Sequence, residues 1–227
     1  MRHTLRQMVA EFVGTFFLCF PGIAAIVAEA YRPGSVGGAL GIAAAHGIGL
    51  AIGITTTMAV SGGHLNPAIT IGFWSIGRID AKKAGLYIVA QLLAGIVAAL
   101  AVKGLFPEMA GIVTGYGRPK LGTDISGPAG TAIEAIATFL LAFSVMGGCV
   151  DKRAHKLGGF AVGLTLLVAI LATGTMTGAM LNPARAFGPA LVSWEFISQG
   201  VYWVGPIVGA IVAMQVYERL LAEKSAA

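Results

Sequence analysis

Ser61-Gly62-Gly63-His64-Leu65-Asn66-Pro67-Ala68 and Thr177-Gly178-Ala179-Met180-Leu181-Asn182-Pro183-Ala184 are the two stretches on which the reading of this chain turns. They lie 116 residues apart, and each opens an apolar piece too short to cross a bilayer, Pro67 to about Trp74 and Pro183 to about Trp194. At ~1.5 Å of rise per residue, such a piece covers roughly half of a hydrocarbon core about 30 Å thick. Asparagine caps a helix by accepting backbone N–H groups, and proline suits the first helical position, where no N–H is needed. Each stretch therefore starts a half-length helix. Backbone outside a spanning helix survives at membrane depth only where protein buries it or where it lines a water-filled cavity, so the two half-helices are expected to re-enter and meet at mid-depth.

The repetition extends outward from these stretches. Glu11-Phe-Val-Gly-Thr15-Phe16 is answered by Glu134-Ala-Ile-Ala-Thr138-Phe139, and the segment Tyr87 to Ala98 by Tyr202 to Ala213. Apolar windows with few charges place spans near 8–30, 36–59, 82–103, 128–149, 157–175 and 199–221. The whole chain, 1–227, then reads as a single transmembrane channel domain of two repeats, about 1–115 and 125–227, with three spans in each. An odd number of spans makes the second repeat enter from the opposite side, and an inverted repeat places a functional site where the halves meet near the midplane. The expected fold class is an all-α membrane protein, six transmembrane helices plus two re-entrant half-helices.

Composition agrees. Of 227 residues, 56% are hydrophobic and only 11% are charged, and mean hydropathy is +0.83, which excludes a water-soluble globule. The net charge of +5 makes no basic face, so a nucleic-acid partner is not expected. Basic residues instead report topology. Arg2, Arg6, Arg78, Lys82, Lys83, Lys152, Arg153, Lys156, Arg219 and Lys224 fall on one side, against Arg32, Lys103, Arg118 and Lys120 on the other. This bias puts both termini in the cytoplasm, and the cell membrane is the expected location. The first apolar stretch is read as a span and not as a secretory leader, because it is too long, contains Glu11 and recurs in mid-chain. Tyr31, Trp74 and Trp194, near the expected ends, read as interface anchors. Cys19 and Cys149 match no metal-ligand spacing and read as small buried thiols; no cofactor is expected. No nucleophile with a base and no phosphate-binding loop argues for an enzyme.

The junction has a definite electrostatic character. The half-helices aim the positive ends of their dipoles at one point, each worth roughly half a charge. Asn66 and Asn182, capping with their oxygens, are expected to keep their NH2 groups free to donate into whatever fills the junction. A water held with its oxygen toward both amides cannot relay a proton in both directions, and cations are repelled. Arg185, inside a re-entrant apolar segment, is costly unless it faces a water cavity and is functional on that ground. Glu11 and Glu134 have two readings: coupling acids of a proton-driven transporter, or acceptors bracing the exposed backbone of the neighbouring Asn-Pro-Ala loop. Duplicated acids suit duplicated loops, which favours bracing. His64 lines the vestibule or braces its loop; His155 reads as a solvated loop residue.

Over essentially its full length the chain resembles the aquaporin family, the major intrinsic proteins. The resemblance is carried by Ser61 to Ala68, Asn182-Pro-Ala-Arg-Ala-Phe-Gly-Pro189, the two Glu-x-x-x-Thr-Phe openings and Tyr202-Trp-Val-Gly-Pro206. It implies a right-handed six-helix bundle with one pore per subunit, a homotetramer, and a selectivity filter of His46, Ile170, Ala179 and Arg185. His with Ile and Ala resembles the plant vacuolar branch, which implies a passive water pore that also leaks ammonia, urea or hydrogen peroxide; the alternative is a channel mainly for those solutes or for glycerol. Ala186, Ala190 and Tyr202-Trp203 depart from the glycerol-conducting pattern, so glycerol is the lesser expectation.

Overall fold

The computed structural model describes residues 2–153 and 157–223; His155, Lys156 and Lys224, read above as loop and topology residues, lie outside this range. The regular structure among the described residues is helical. In chain order the helices are α1 (Arg2–Tyr31), α2 (Gly38–Ser61), α3 (Pro67–Ser75), α4 (Ala81–Leu105), α5 (Glu108–Thr114), α6 (Gly127–Val145), α7 (Gly158–Thr177), α8 (Pro183–Ser193) and α9 (Gln199–Val216). Single π-type turns, Met146–Val150 and Tyr217–Leu221, extend α6 and α9. Six helices are long and apolar enough to cross a membrane, and α3 and α8 are the two half-length pieces. The observed boundaries match the sequence reading within about three residues except at the start of α1, which runs six residues further toward the N-terminus. Gln7 explains part of that extension, since its buried side chain donates to the carbonyl of Val60 on α2.

Packing follows the inverted repeat. Within the halves, α1 lies against α2 and α4 as α6 lies against α7 and α9. Between them, α2 meets α7 and α3 meets α8, each element touching its own counterpart. The half-helices are exchanged: α8 packs on α4 of the first half, and α3 on α9 of the second. Each half-helix is thus held largely by a span from the other repeat.

Two close approaches make this possible. Where α2 crosses α7, a Cβ on Gly47 would strike Gly163 O and one on Gly163 would strike Gly47 O. Where α4 meets α8, a Cβ on Gly95 would strike Ala184 O, and one on Gly188 would strike Gly95 O. Small residues replace the hydrophobic effect as the packing device in lipid, because tails are as apolar as leucine and only close contact stabilises association. The lipid side shows the complement, a run of exposed Val, Leu and Ile along α1, α4, α6 and α7.

At the face carrying the termini, the π-type turn after α9 is tied down. Arg78 donates to both carboxylate oxygens of Glu218, Gln215 donates to Ser75 O, Tyr217 OH to Asp151, and Arg153 to Asp151 and to Leu221 O. The Arg153 hydrogen bonds, and then that of Tyr217, hold the Asp151 carboxyl well below the ordinary carboxylate range. Its pKa is depressed in the folded chain, so this contribution is complete above the usual aspartate range and is lost only as pH falls through the lowered value. The tie therefore persists through mildly acidic pH.

Candidate functional site: the junction of the half-helices

The two Asn-Pro-Ala stretches meet inside the bundle and clasp each other. Asn66 Nδ2 donates to Leu181 O at 2.8 Å, and Asn182 Nδ2 donates to Leu65 O at 2.9 Å. With their oxygens the same side chains cap their own helices: Asn66 accepts from Ala68 N at 2.8 Å, Asn182 from Ala184 N at 2.9 Å and Arg185 N at 3.4 Å. This differs from the sequence reading, which leaves both amide hydrogens of each asparagine free. One of the two is spent on the opposite loop, because the backbone carbonyl of the other half lies within reach; one remains.

Leu65 and Leu181 supply those carbonyls from left-handed backbone, φ 52° and 53°. A leucine there costs roughly 1 kcal/mol or more, and such a conformation persists only where surroundings over-determine it. The determinant is a buried carboxylate behind each loop. Glu11 accepts from Ser61 Oγ (2.6 Å), His64 N (3.0 Å), Leu65 N (2.7 Å) and Gln91 Nε2 (2.8 Å). Glu134 accepts from Thr177 Oγ1 (2.7 Å), Met180 N (2.9 Å) and Leu181 N (2.8 Å). Both glutamates are fully buried.

The halves are not identical. Gln91, which ties Glu11 to Thr70, has Pro206 in its register in the second half. Tyr87 OH donates to Ser61 O at 2.8 Å, while its counterpart Tyr202 has a buried hydroxyl with no partner among the described residues, as does Thr138. Gln91, Thr70, Ser61, Thr177 and Tyr87 are support residues that the sequence reading does not assign. Gln91 carries a signal, since an amide inside an apolar span needs a partner. The accepting carbonyls of Leu65 and Leu181 carry none.

A passage runs to this junction from the terminal face. A vestibule of about 330 Å³ is lined by Ser61, His64, Phe73, Arg78, Lys83 and Cys149, among others. It shares Ile54, His64 and Val145 with a much narrower cavity of about 10 Å³, whose lining includes Asn66 and Asn182 together with Leu18, Leu50, Leu141, Val162 and Leu166. About 10–15 Å³ on this measure is the space of one water. The lining side chains are apolar apart from the two asparagines, His64 and the Met180 thioether, so a molecule inside finds few side-chain hydrogen-bond partners. His64 borders both vestibule and cavity, bonds to Thr70 Oγ1 at 3.2 Å and stacks on Phe73.

Beyond the junction, Arg185 is buried and its Nη1 donates to Ala179 O at 2.6 Å and Met180 O at 3.3 Å. Arg185 and Ala179 are therefore in direct contact. His46 is fully buried on α2, with Nδ1 bonded to Ile42 O at 2.9 Å, its ring against Gly22 of α1, and Nε2 without a partner among the described residues. Ile170 is buried on α7 in the same apolar cluster as Ala179. Cys19 is buried, and Cys149 is half-buried at the vestibule. A membrane-impermeant thiol reagent should accordingly label Cys149 from the terminal face and leave Cys19 untouched; peptide mapping after labelling of sealed vesicles of known orientation reads this directly.

Known proteins bear on the arrangement at this point. The family model described as "Major intrinsic protein" matches residues 1–217. "Aquaporin TIP4-4" of Zea mays is 36% identical over 222 residues, covering 95% of this chain and 86% of its own length. "Probable aquaporin TIP3-2" of Oryza sativa subsp. japonica is 37% identical over 227 residues, covering 96% and 83%. Among solved structures, the aquaglyceroporin from Plasmodium falciparum superposes with a TM-score of 0.85 at 29% identity, covering 96% of this chain and 97% of that one. A fold of six spans and two clasped half-helices, together with matches of this extent, places the chain in the major intrinsic protein family, as an integral multi-pass membrane channel for water or small solutes and not an enzyme.

Proposed function

We propose that the chain conducts water in single file past Asn66 and Asn182, excludes protons and ions, and passes small neutral solutes such as ammonia, urea and hydrogen peroxide more slowly. The observation that carries this reading is the cavity of about 10 Å³ at the clasp, about the size of one water and lined by apolar side chains apart from Asn66, Asn182, His64 and the Met180 thioether. Each asparagine has one amide hydrogen left for that water, and the two half-helix dipoles orient its oxygen toward them. A cation at the same point meets two positive dipole ends and then Arg185. The filter in this proposal is His46, Ile170, Ala179 and Arg185, with Asn66, Pro67, Ala68, Asn182, Pro183 and Ala184 forming the central constriction.

The proposal assigns Glu11 and Glu134 to bracing and not to proton transfer, because their oxygens are already committed to donors of the adjoining loops. The whole chain acts as one channel domain, its repeats about 1–115 and 125–227. It further includes a homotetramer in the cell membrane with both termini cytoplasmic; the orientation rests on the excess of basic residues at the terminal face. Glycerol is the alternative solute, favoured by the likeness to an aquaglyceroporin and by the small Ala179 at the filter.

Stopped-flow light scattering of proteoliposomes tests this. Fast shrinkage in sucrose with a low activation energy and no response to an imposed proton gradient is the expected result; shrinkage no faster than protein-free vesicles refutes it, and reswelling in a glycerol gradient far faster than in protein-free vesicles, at a rate close to that of water, selects the alternative. Arg185→Ala should raise urea and cation leakage about tenfold, the equivalent of losing one charge-assisted hydrogen bond of ~1.5 kcal/mol. Unchanged selectivity in that variant removes Arg185 from the filter.

A further inference from the structure

The guanidinium of Arg185 is held at one end. Nη1 has three neighbours, Ala179 O at 2.6 Å, Met180 O at 3.3 Å and Met180 Sδ at 3.4 Å, whereas Nε is buried without a partner among the described residues. An arginine whose orientation matters is commonly clamped by paired acceptors on its fork. Contacts on Nη1 alone leave the plane of the group free to tilt, so its position depends on the wall beside it.

Met180 forms that wall. Its side chain is buried and packs with Ala186, Val201 and Tyr202 in a small apolar cluster separate from the main core, with Leu121 of the connection before α6 against it. The residue also borders the narrow cavity beside Asn182. In the first repeat the same register position is His64, which borders that cavity and is fixed by Thr70 and Phe73. The position flanks the junction in both halves; the second half fills it with a flexible thioether, a weak acceptor that adapts to irregular space.

We infer that Met180 is a positioning residue for Arg185, its side chain filling the space beside the guanidinium and its sulfur taking the third contact on Nη1, so that the pair sets how wide a solute passes. The inference rests on the reading of Arg185 as a filter residue. Removing the side chain leaves the guanidinium room to move, and solutes wider than water gain most.

The test is the ratio of urea to water permeability in proteoliposomes for wild type, Met180→Ala, Met180→Leu, Arg185→Ala and the double variant Met180→Ala with Arg185→Ala. Met180→Ala should raise the ratio about fivefold, and in the Arg185→Ala background should add nothing, since coupled residues are non-additive. Met180→Leu keeps the volume and the fold, and should raise the ratio by less. Size-exclusion profiles identical to wild type separate a moved arginine from a damaged bundle. A wild-type ratio in both single Met180 variants, or an effect of Met180→Ala equal in the two backgrounds, overturns the inference. A wild-type ratio in Arg185→Ala overturns the filter reading itself.

Discussion

Glu11→Leu and Glu134→Leu should each fail to give a folded, conducting channel, whereas most single changes on the lipid face should pass unnoticed. Leucine is close to glutamate in size, so the loss is one of hydrogen bonds and not of volume. In Glu11→Leu the N–H groups of His64 and Leu65 lose their acceptor inside the protein, the hydroxyl of Ser61 keeps only Thr57 O at 3.4 Å, and the amide of Gln91 keeps only Thr70 Oγ1. Each buried donor left unsatisfied costs about 1–3 kcal/mol, so the sum approaches the ~5–15 kcal/mol that holds a typical domain. The strained backbone at Leu65 is released at the same time, and with it the carbonyl that anchors Asn182. Glu11→Gln should be milder but still damaging, because an amide presents a donor to a ring of donors. Yield of monodisperse protein in detergent and its thermal midpoint, followed by water flux, measure the effect. A Glu11→Leu protein that folds and conducts as wild type would show that the loop is held by something other than this carboxylate.

Gly95→Val should be comparably severe for a steric reason. A side chain at Gly95 meets the carbonyl of Ala184, one residue before Arg185, and must drive α8 away from α4. Overpacking costs about 1–3 kcal/mol and more where the obstacle is backbone. Because the displaced residues are the Asn-Pro-Ala-Arg run, water permeability should collapse even in whatever protein still folds. Gly85 sits on the same helix, and a methyl group added there would meet only open space, so Gly85→Ala should be neutral or stabilise by up to ~1 kcal/mol. The contrast in thermal midpoint between the two variants is the measurement. A Gly95→Val protein that melts like Gly85→Ala would mean the helices separate at little cost.

How much of this is legible in the sequence depends on distance along the chain. The spans follow from apolar runs, and α3 and α8 follow from Asn-Pro-Ala before runs too short to cross, all local signals. The inverted repeat supplies the order in which these pieces face each other. The carboxylate braces follow from duplication, but the side chains that donate to them do not, because Thr177, Ser61 and Gln91 lie 43 to 80 residues away. The clasp escapes for a stronger reason: Asn66 pairs with a backbone carbonyl 115 residues on, and carbonyls have no letter in the sequence. The sequence reading assigns no helix between 104 and 127, where α5 and a tight turn fold back on α1. That segment is short and carries no long apolar period, and its turn depends on Tyr116 at φ 52°, which composition does not announce. Of the proposed filter, Arg185 can be singled out by charge alone, while His46, Ile170 and Ala179 look like any other helix and loop residues until a relative is set beside them.

The exchange of half-helices also governs assembly during synthesis. The first of them, α3, ends at Ser75, and the span that cradles it, α9, begins at Gln199. At a ribosome's pace of about 5–20 residues per second, the newborn loop waits on the order of ten seconds for its cradle. Until Leu181 emerges Asn66 has no clasp partner, and until α9 follows part of the α3 surface faces lipid, or whatever the insertion machinery provides.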